Sequence, residues 1–131
     1  MNTIRALLLG VCAVTISSQV LAAPKLYTAT VDRDGKVIHQ DADWIKDVNV
    51  INQKNYFATY EVSFTDRSFK TAPAFCSASS IDTSDFDRLL YGHVKLSGAA
   101  TAQKVNVIAL MPGKSGPSGD SAQGFQLMCI R

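Results

Sequence analysis

Cys76 and Cys129 carry the most reactive side chains of this sequence, and their surroundings decide what they do. Cys76 lies in "FKTAPAFCSASS" (69–80), three residues after Pro73, and Cys129 lies in the terminal "GFQLMCIR". A nucleophilic thiol needs exposure and a neighbouring base or positive charge, whereas both cysteines fall on the apolar side of alternating stretches. Zinc sites use close ligand pairs such as CxxC, and the sequence contains none. The third cysteine, Cys12, sits in a leader segment described below. Two are left, and in an oxidising compartment pairing is the default. A Cys76–Cys129 disulfide is therefore expected. Closing so long a loop removes roughly 4 kcal/mol of unfolded-chain entropy in the loop-entropy model, comparable with the marginal stability of a small domain.

The remaining chemically capable residues form no catalytic constellation. His39 and His93 are the only imidazoles, each on the polar side of a strand pattern, and no GxSxG elbow accompanies them. Glu61 is the only glutamate and falls on a solvent face, so the carboxylate pair of a glycosidase finds no clear members. An enzyme is not expected. "PGKSG" places Gly113, Lys114 and Ser115 after an apolar strand, but a phosphate-binding loop would need glycine where Ile108 stands, and a helix after it. "TVDRDGKVIHQD" (30–41) partly overlays a calcium loop through Asp32, Asp34, Gly35 and Asp41, yet Thr30 replaces the first carboxylate and the flanks read as strands. A plain hairpin turn is the better account. Asp82, Asp85 and Asp87 make a second acidic cluster of the same standing, and no metal or cofactor is expected. Trp44, Tyr56, Tyr60 and Tyr91 are the aromatic stock from which a sugar platform would be built, although packing explains each of them better. Phe57, opposite in phase to Tyr56, is the aromatic expected to be exposed.

The elements that position these residues belong to an exported chain. "MNTIRALLLGVCAVTISSQVLAA" has one early positive charge, Arg5, an apolar stretch from Ala6 to Ile16, and small residues at the end, which is the layout of a secretory signal peptide. Cleavage fits best after Ala22, with cleavage after Ala23 nearly as good. The apolar stretch falls short of the roughly 20 residues a spanning helix needs. No membrane span is expected. Residues 23–131 then form a single domain in the periplasm or outside the cell. Losing Arg5 lowers the formal charge from +2 to about +1, a balance that argues against nucleic acid or an acidic membrane surface as partner.

Period-two alternation recurs along this domain. "NYFATYEVSFT" puts Tyr56, Ala58, Tyr60, Val62 and Phe64 on one face, the pattern of a half-buried strand. "KLYTATV" (25–31) and "KVIHQ" (36–40) flank Asp34-Gly35, a hairpin signal. In residues 42–52, Trp44, Val48 and Ile51 suit a helical turn while Trp44, Val48 and Val50 suit a strand, the reading preferred; 93–97 is another strand, and 104–111 a central strand apolar on both faces beyond Asn106. "GFQLMCI" closes the set with Phe125, Leu127 and Cys129 on one face. "SDFDRLLYG" (84–92), capped by Ser84 or Asp85 and stopped by Gly92, suits one or two helical turns or the approach to a strand. Pro73 starts the strand that carries Cys76, at a point where no amide donor is required. Residues 112–124, thick with Gly, Ser and Pro, read as a long mobile hairpin loop. Seven or eight short strands describe an all-β fold, a small antiparallel β-sandwich or jelly roll with one disulfide.

In their order, "DWI", "NYFATYEVSF", "FKTAPAFCSASS" and "GFQLMCI" resemble a disulfide-bonded β-sandwich module of phage tail-fibre tips and related bacterial secreted or surface proteins. The resemblance covers about two thirds of the chain and implies a sandwich with an attachment or receptor-binding role. Trp44, Phe64, Pro73, Cys76, Phe125 and Cys129 match structural positions of the module, and none matches a functional signature. The expected function is an exported binding module that recognises a glycan or cell-surface partner through end loops, with Lys114, Ser115, Ser118 and Asp120 as candidate contacts. A structural subunit pairing through an edge strand is the alternative. A small periplasmic enzyme or enzyme inhibitor comes third.

Overall fold

The computed structural model describes residues 23–53, 56–113, 116–117 and 120–131. Residues 1–22, read above as a signal peptide, lie outside the described residues. One sheet has the order β2-β1-β10-β5, from β1 (Leu26–Val31), β2 (Val37–Gln40), β5 (Phe75–Ser80) and β10 (Phe125–Ile130). The other has the order β3-β4-β7-β6, from β3 (Ile45–Asn52), β4 (Ala58–Phe64), β6 (His93–Leu96) and β7 (Lys104–Leu110). All the pairings are antiparallel. A two-residue pair, β8 (Pro112–Gly113) with β9 (Gly116–Pro117), and one six-residue helix, α1 (Phe86–Tyr91), complete the elements. The protein is all-β, a sandwich of two four-stranded antiparallel sheets.

Alternation in the sequence becomes layering in space because successive side chains of a strand point to opposite faces. Tyr27, Ala29 and Val31 of β1 and Phe125, Leu127 and Cys129 of β10 are buried from one sheet. Ala58, Tyr60, Val62 and Phe64 of β4 and Val105, Val107 and Ala109 of β7 meet them from the other. Tyr27, Trp44, Phe64 and Phe69 close one end of this core with ring centroids 4.8–6.1 Å apart. The indole of Trp44 donates to the carbonyl of Thr28 at 3.0 Å, so its one polar atom is satisfied in the interior. Trp44 is thus the packing anchor that its solitary occurrence suggested.

The open sides of the sandwich are closed by local devices. Between β2 and β3, the Gln40 side-chain oxygen accepts from the amides of Trp44 and Ile45, at 3.2 and 3.0 Å, and so replaces missing strand partners. The β1–β2 turn also leans on β3: Gly35, at φ +84°, packs so close to Val48 and Val50 that a Cβ there would strike Val50. On the other side β5 and β6 run next to each other. Cys76 and Cys129 face one another as direct cross-strand partners of β5 and β10, joined by a disulfide with Cα atoms 4.1 Å apart. The bridge lies within one sheet. Cys129 is fully buried, while Cys76, on the edge strand, is half-buried.

Four sequence expectations need correction. Tyr56 precedes β4 instead of joining its buried face and is 58% exposed, whereas Phe57 is half-buried, so the two aromatics exchange their expected places. The alternation simply begins two residues later than the pattern implied. β7 is central in its sheet, but Ile108 and Leu110 on its outer face are only half-buried, with no further layer over them among the described residues. Thr59 and Lys95 stand directly across from Ile108, and the aliphatic stem of such a lysine covers apolar surface. β7 and β10 belong to different sheets, so the segment 112–124 crosses between sheets instead of joining neighbouring strands as a hairpin loop would, and within it β8 and β9 form a short antiparallel pair. Its final residues Ser121, Ala122 and Gln123 are buried, held by contacts that no local pattern signals.

Candidate functional site

The end of the sandwich away from the aromatic cluster is held together by that returning segment. Gln123, 0% exposed, donates through Nε2 to the carbonyl of Leu110 at 2.9 Å and accepts at Oε1 from the Ser80 hydroxyl at 3.0 Å. Its amide donates to the Tyr60 hydroxyl at 3.1 Å, which in turn donates to the carbonyl of Arg33 at 2.7 Å. Burial pushes the Tyr60 hydroxyl up to about 12, despite the hydrogen bond from the Gln123 amide that favours ionisation. Ser121 Oγ donates to the carbonyl of Tyr56 at 3.0 Å. One short stretch therefore fixes the β1–β2 turn, the approach to β4 and the end of β7. Buried polar groups of this kind specify one arrangement because each would be costly unpaired.

The same stretch holds α1. Asp85 caps the helix, its carboxylate accepting from the Arg88 amide at 2.7 Å. Arg88 then turns inward, 8% exposed, and donates to the carbonyls of Ala122 at 2.7 Å and Asp120 at 3.2 Å while pairing with the carboxylates of Asp85 and Asp120. Asp120 also pairs with Arg33, whose guanidinium is held more firmly protonated by that hydrogen bond. Because arginine occupies the inward face, the apolar residues of the helix are left outside. Phe86, Leu89, Leu90 and Tyr91 are 71%, 58%, 54% and 50% exposed. A helix this short has one inward stripe, and a charged side chain takes it.

One shallow cleft borders the helix, and a second lies beside the residues that lead into it. The first, of about 490 Å³, is lined by Asp85, Phe86, Asp87, Arg88, Met111 and Asp120. The other, also about 490 Å³, runs past Ile38, Ile81, Asp82, Thr83 and Ser84. Burial pushes the Asp82 carboxyl up, but hydrogen bonds from the Ser84 hydroxyl and the Ser84 and Gly124 amides, with the charge of Arg88, outweigh it and leave the group below its ordinary range. The rim of α1 is therefore acidic.

Of the candidate contacts, Lys114, Ser115 and Ser118 lie outside the described residues, and Asp120 serves as the joint between Arg33 and Arg88. Asp32 accepts from the amides of Asp34 and Lys36, at 3.0 and 2.8 Å, and so shapes a turn. Among the described residues, no three His, Cys, Asp or Glu side chains converge as metal ligands. His39 and His93 occupy strands of different sheets, and His39 lies 3.5 Å from the Asp41 carboxylate in an exposed pair. Sequence reasoning missed the exposed face of α1. The one available signal was an arginine at the centre of "DFDRLLY".

No protein-family model, no curated protein and no solved structure matches this chain.

Proposed function

We propose that this protein is an exported binding module that engages a cell-surface protein through the α1 end of its sandwich. The observation that carries this reading is the exposure of Phe86, Leu89, Leu90 and Tyr91 on a helix that a buried arginine ties to the returning segment. Contiguous exposed apolar surface marks interaction sites, and a short apolar helix fits a groove on a partner. Branched Leu89 and Leu90 suit a protein groove better than the flat face of a sugar ring. Asp82, Asp85 and Asp87 around the helix complement a groove rimmed with lysine or arginine. An attachment role, which the resemblance to tail-fibre tips implies, is of the same kind. The subunit alternative is less favoured, because Gln40 and the Gly35 turn cover the start and middle of the β3 edge.

A photo-reactive residue at position 90, in protein secreted by its native host, should give a discrete protein adduct, and one at position 95 should not. Purified partner should bind the Leu89→Ser/Leu90→Ser variant about 30-fold more weakly, as expected when anchor residues are truncated. Absence of an adduct at 90, or equal binding by the variant, overturns the proposal. Carbohydrate-array binding lost in the same variant would replace the protein partner with a glycan, and a concentration-dependent dimer in light scattering would replace it with self-association.

A further inference from the structure

At the opposite end of β7 from α1, a groove of about 510 Å³ collects lysines from three separate stretches of the chain. Lys46 is the residue skipped by the register shift between Ile45 and Asp47 in β3, Lys70 follows the core residue Phe69, and Lys104 opens β7. Lys104 is already engaged by Glu61 at 2.6 Å. Among the described residues, Lys46 and Lys70 have no ion-pair partner, nor does Asp66 on the same rim. The side chains of Ser63 and Gln103, which also line the groove, make no hydrogen bond within the described protein. Phe64 and Phe69 touch the groove only marginally, being almost fully buried in the core beneath it. The volume falls in the range of small-molecule sites, about 300–1,000 Å³.

This mixture selects among ligands. Two unpaired ammonium groups call for a negative charge. Asp66 would repel a bare anion but accepts hydrogen bonds from hydroxyls, and Ser63 and Gln103 can both donate and accept. A ring carrying hydroxyls and one acidic group matches these unpaired groups. We propose that this groove binds an acidic saccharide, one bearing a carboxylate or a sulfate ester. The site is separate from α1 and does not depend on the role given to that helix. Together the two ends would let the module bridge a protein partner and an acidic glycan.

Backbone-amide NMR titration of residues 23–131 tests it, with trigalacturonate, a sulfated chondroitin disaccharide, neutral maltotriose and inorganic sulfate as probes. At least one acidic sugar should shift the amides of Lys46, Asp66, Lys70 and Gln103 and bind at least tenfold more tightly than maltotriose, the stronger of the two identifying the acid. Raising the salt should weaken binding, since exposed charges are screened. Lys46→Ala/Lys70→Ala should lower affinity at least tenfold without loss of the folded spectrum, and Asp66→Asn should weaken the sugars but not sulfate. Leu89→Ser/Leu90→Ser should change nothing here, so failure of this site and failure of the α1 site are distinguishable. Sulfate binding as tightly as the sugars overturns the saccharide assignment. Unshifted groove amides, or unchanged affinity in the double lysine variant, overturns the site.

Discussion

The residues that organise the α1 end are polar ones buried among apolar neighbours, and their cost is visible in Tyr60. Its hydroxyl sits between the Gln123 amide and the Arg33 carbonyl, and burial raises it to about 12 from an ordinary value near 10. Above pH 10 the unfolded chain loses this proton while the folded one keeps it. The stabilisation is thus complete below pH 10 and declines as pH rises toward 12, by up to about 3 kcal/mol. Tyr60→Phe should cost about 1–3 kcal/mol at neutral pH, because two buried groups lose their partner. In urea unfolding across alkaline pH, that variant should also show a shallower decline between pH 10 and 12 than the parent protein. Parallel declines would assign the alkaline sensitivity to other groups. Alternation placed Tyr60 on the buried face, but nothing near it in sequence names Gln123, 63 residues away, as the donor.

Among the elements, the turns and the helix differ in how much of them could be read locally. The β1–β2 hairpin was legible from Asp34-Gly35 between alternating stretches, while residues 84–92 suited helical turns or the approach to a strand, and the structure decided for the helix with Asp85 as its cap. Their tertiary seats were not legible. Gly35 and Gly98 both adopt positive φ, +84° and +92°, yet only Gly35 has no room for a Cβ; nothing lies within 4 Å of one at Gly98. Gly98→Ala should therefore cost backbone strain alone, about 1 kcal/mol, whereas Gly35→Ala adds a clash with Val50 and should cost about 2–3 kcal/mol. Equal losses in urea unfolding would mean that the turn does not press on β3. The orientation of α1 escaped local reading for the same reason: the partners that draw Arg88 inward, Asp120 and Ala122, lie more than thirty residues further on.

For the whole molecule, the disulfide and the core share the work of stability. The bridge closes a 53-residue separation between neighbouring strands of one sheet. Replacing both cysteines by alanine should lower unfolding free energy by about 4 kcal/mol in the loop-entropy model, measured in urea against the oxidised parent. A loss under about 1 kcal/mol would show that pairing of β5 with β10 already restrains the unfolded chain. The cysteine pair, the buried tryptophan and the strand periodicity were determined by the sequence itself, the first two by residue type and number, the third by a spacing of two. The tertiary structure alone decided that Ser121, Ala122 and Gln123 are buried, that the leucines of α1 face solvent, and that three lysines share a groove. Those outcomes depend on which distant strands become neighbours, and sheet order is set by the packing of two faces, to which no single stretch of chain holds the key.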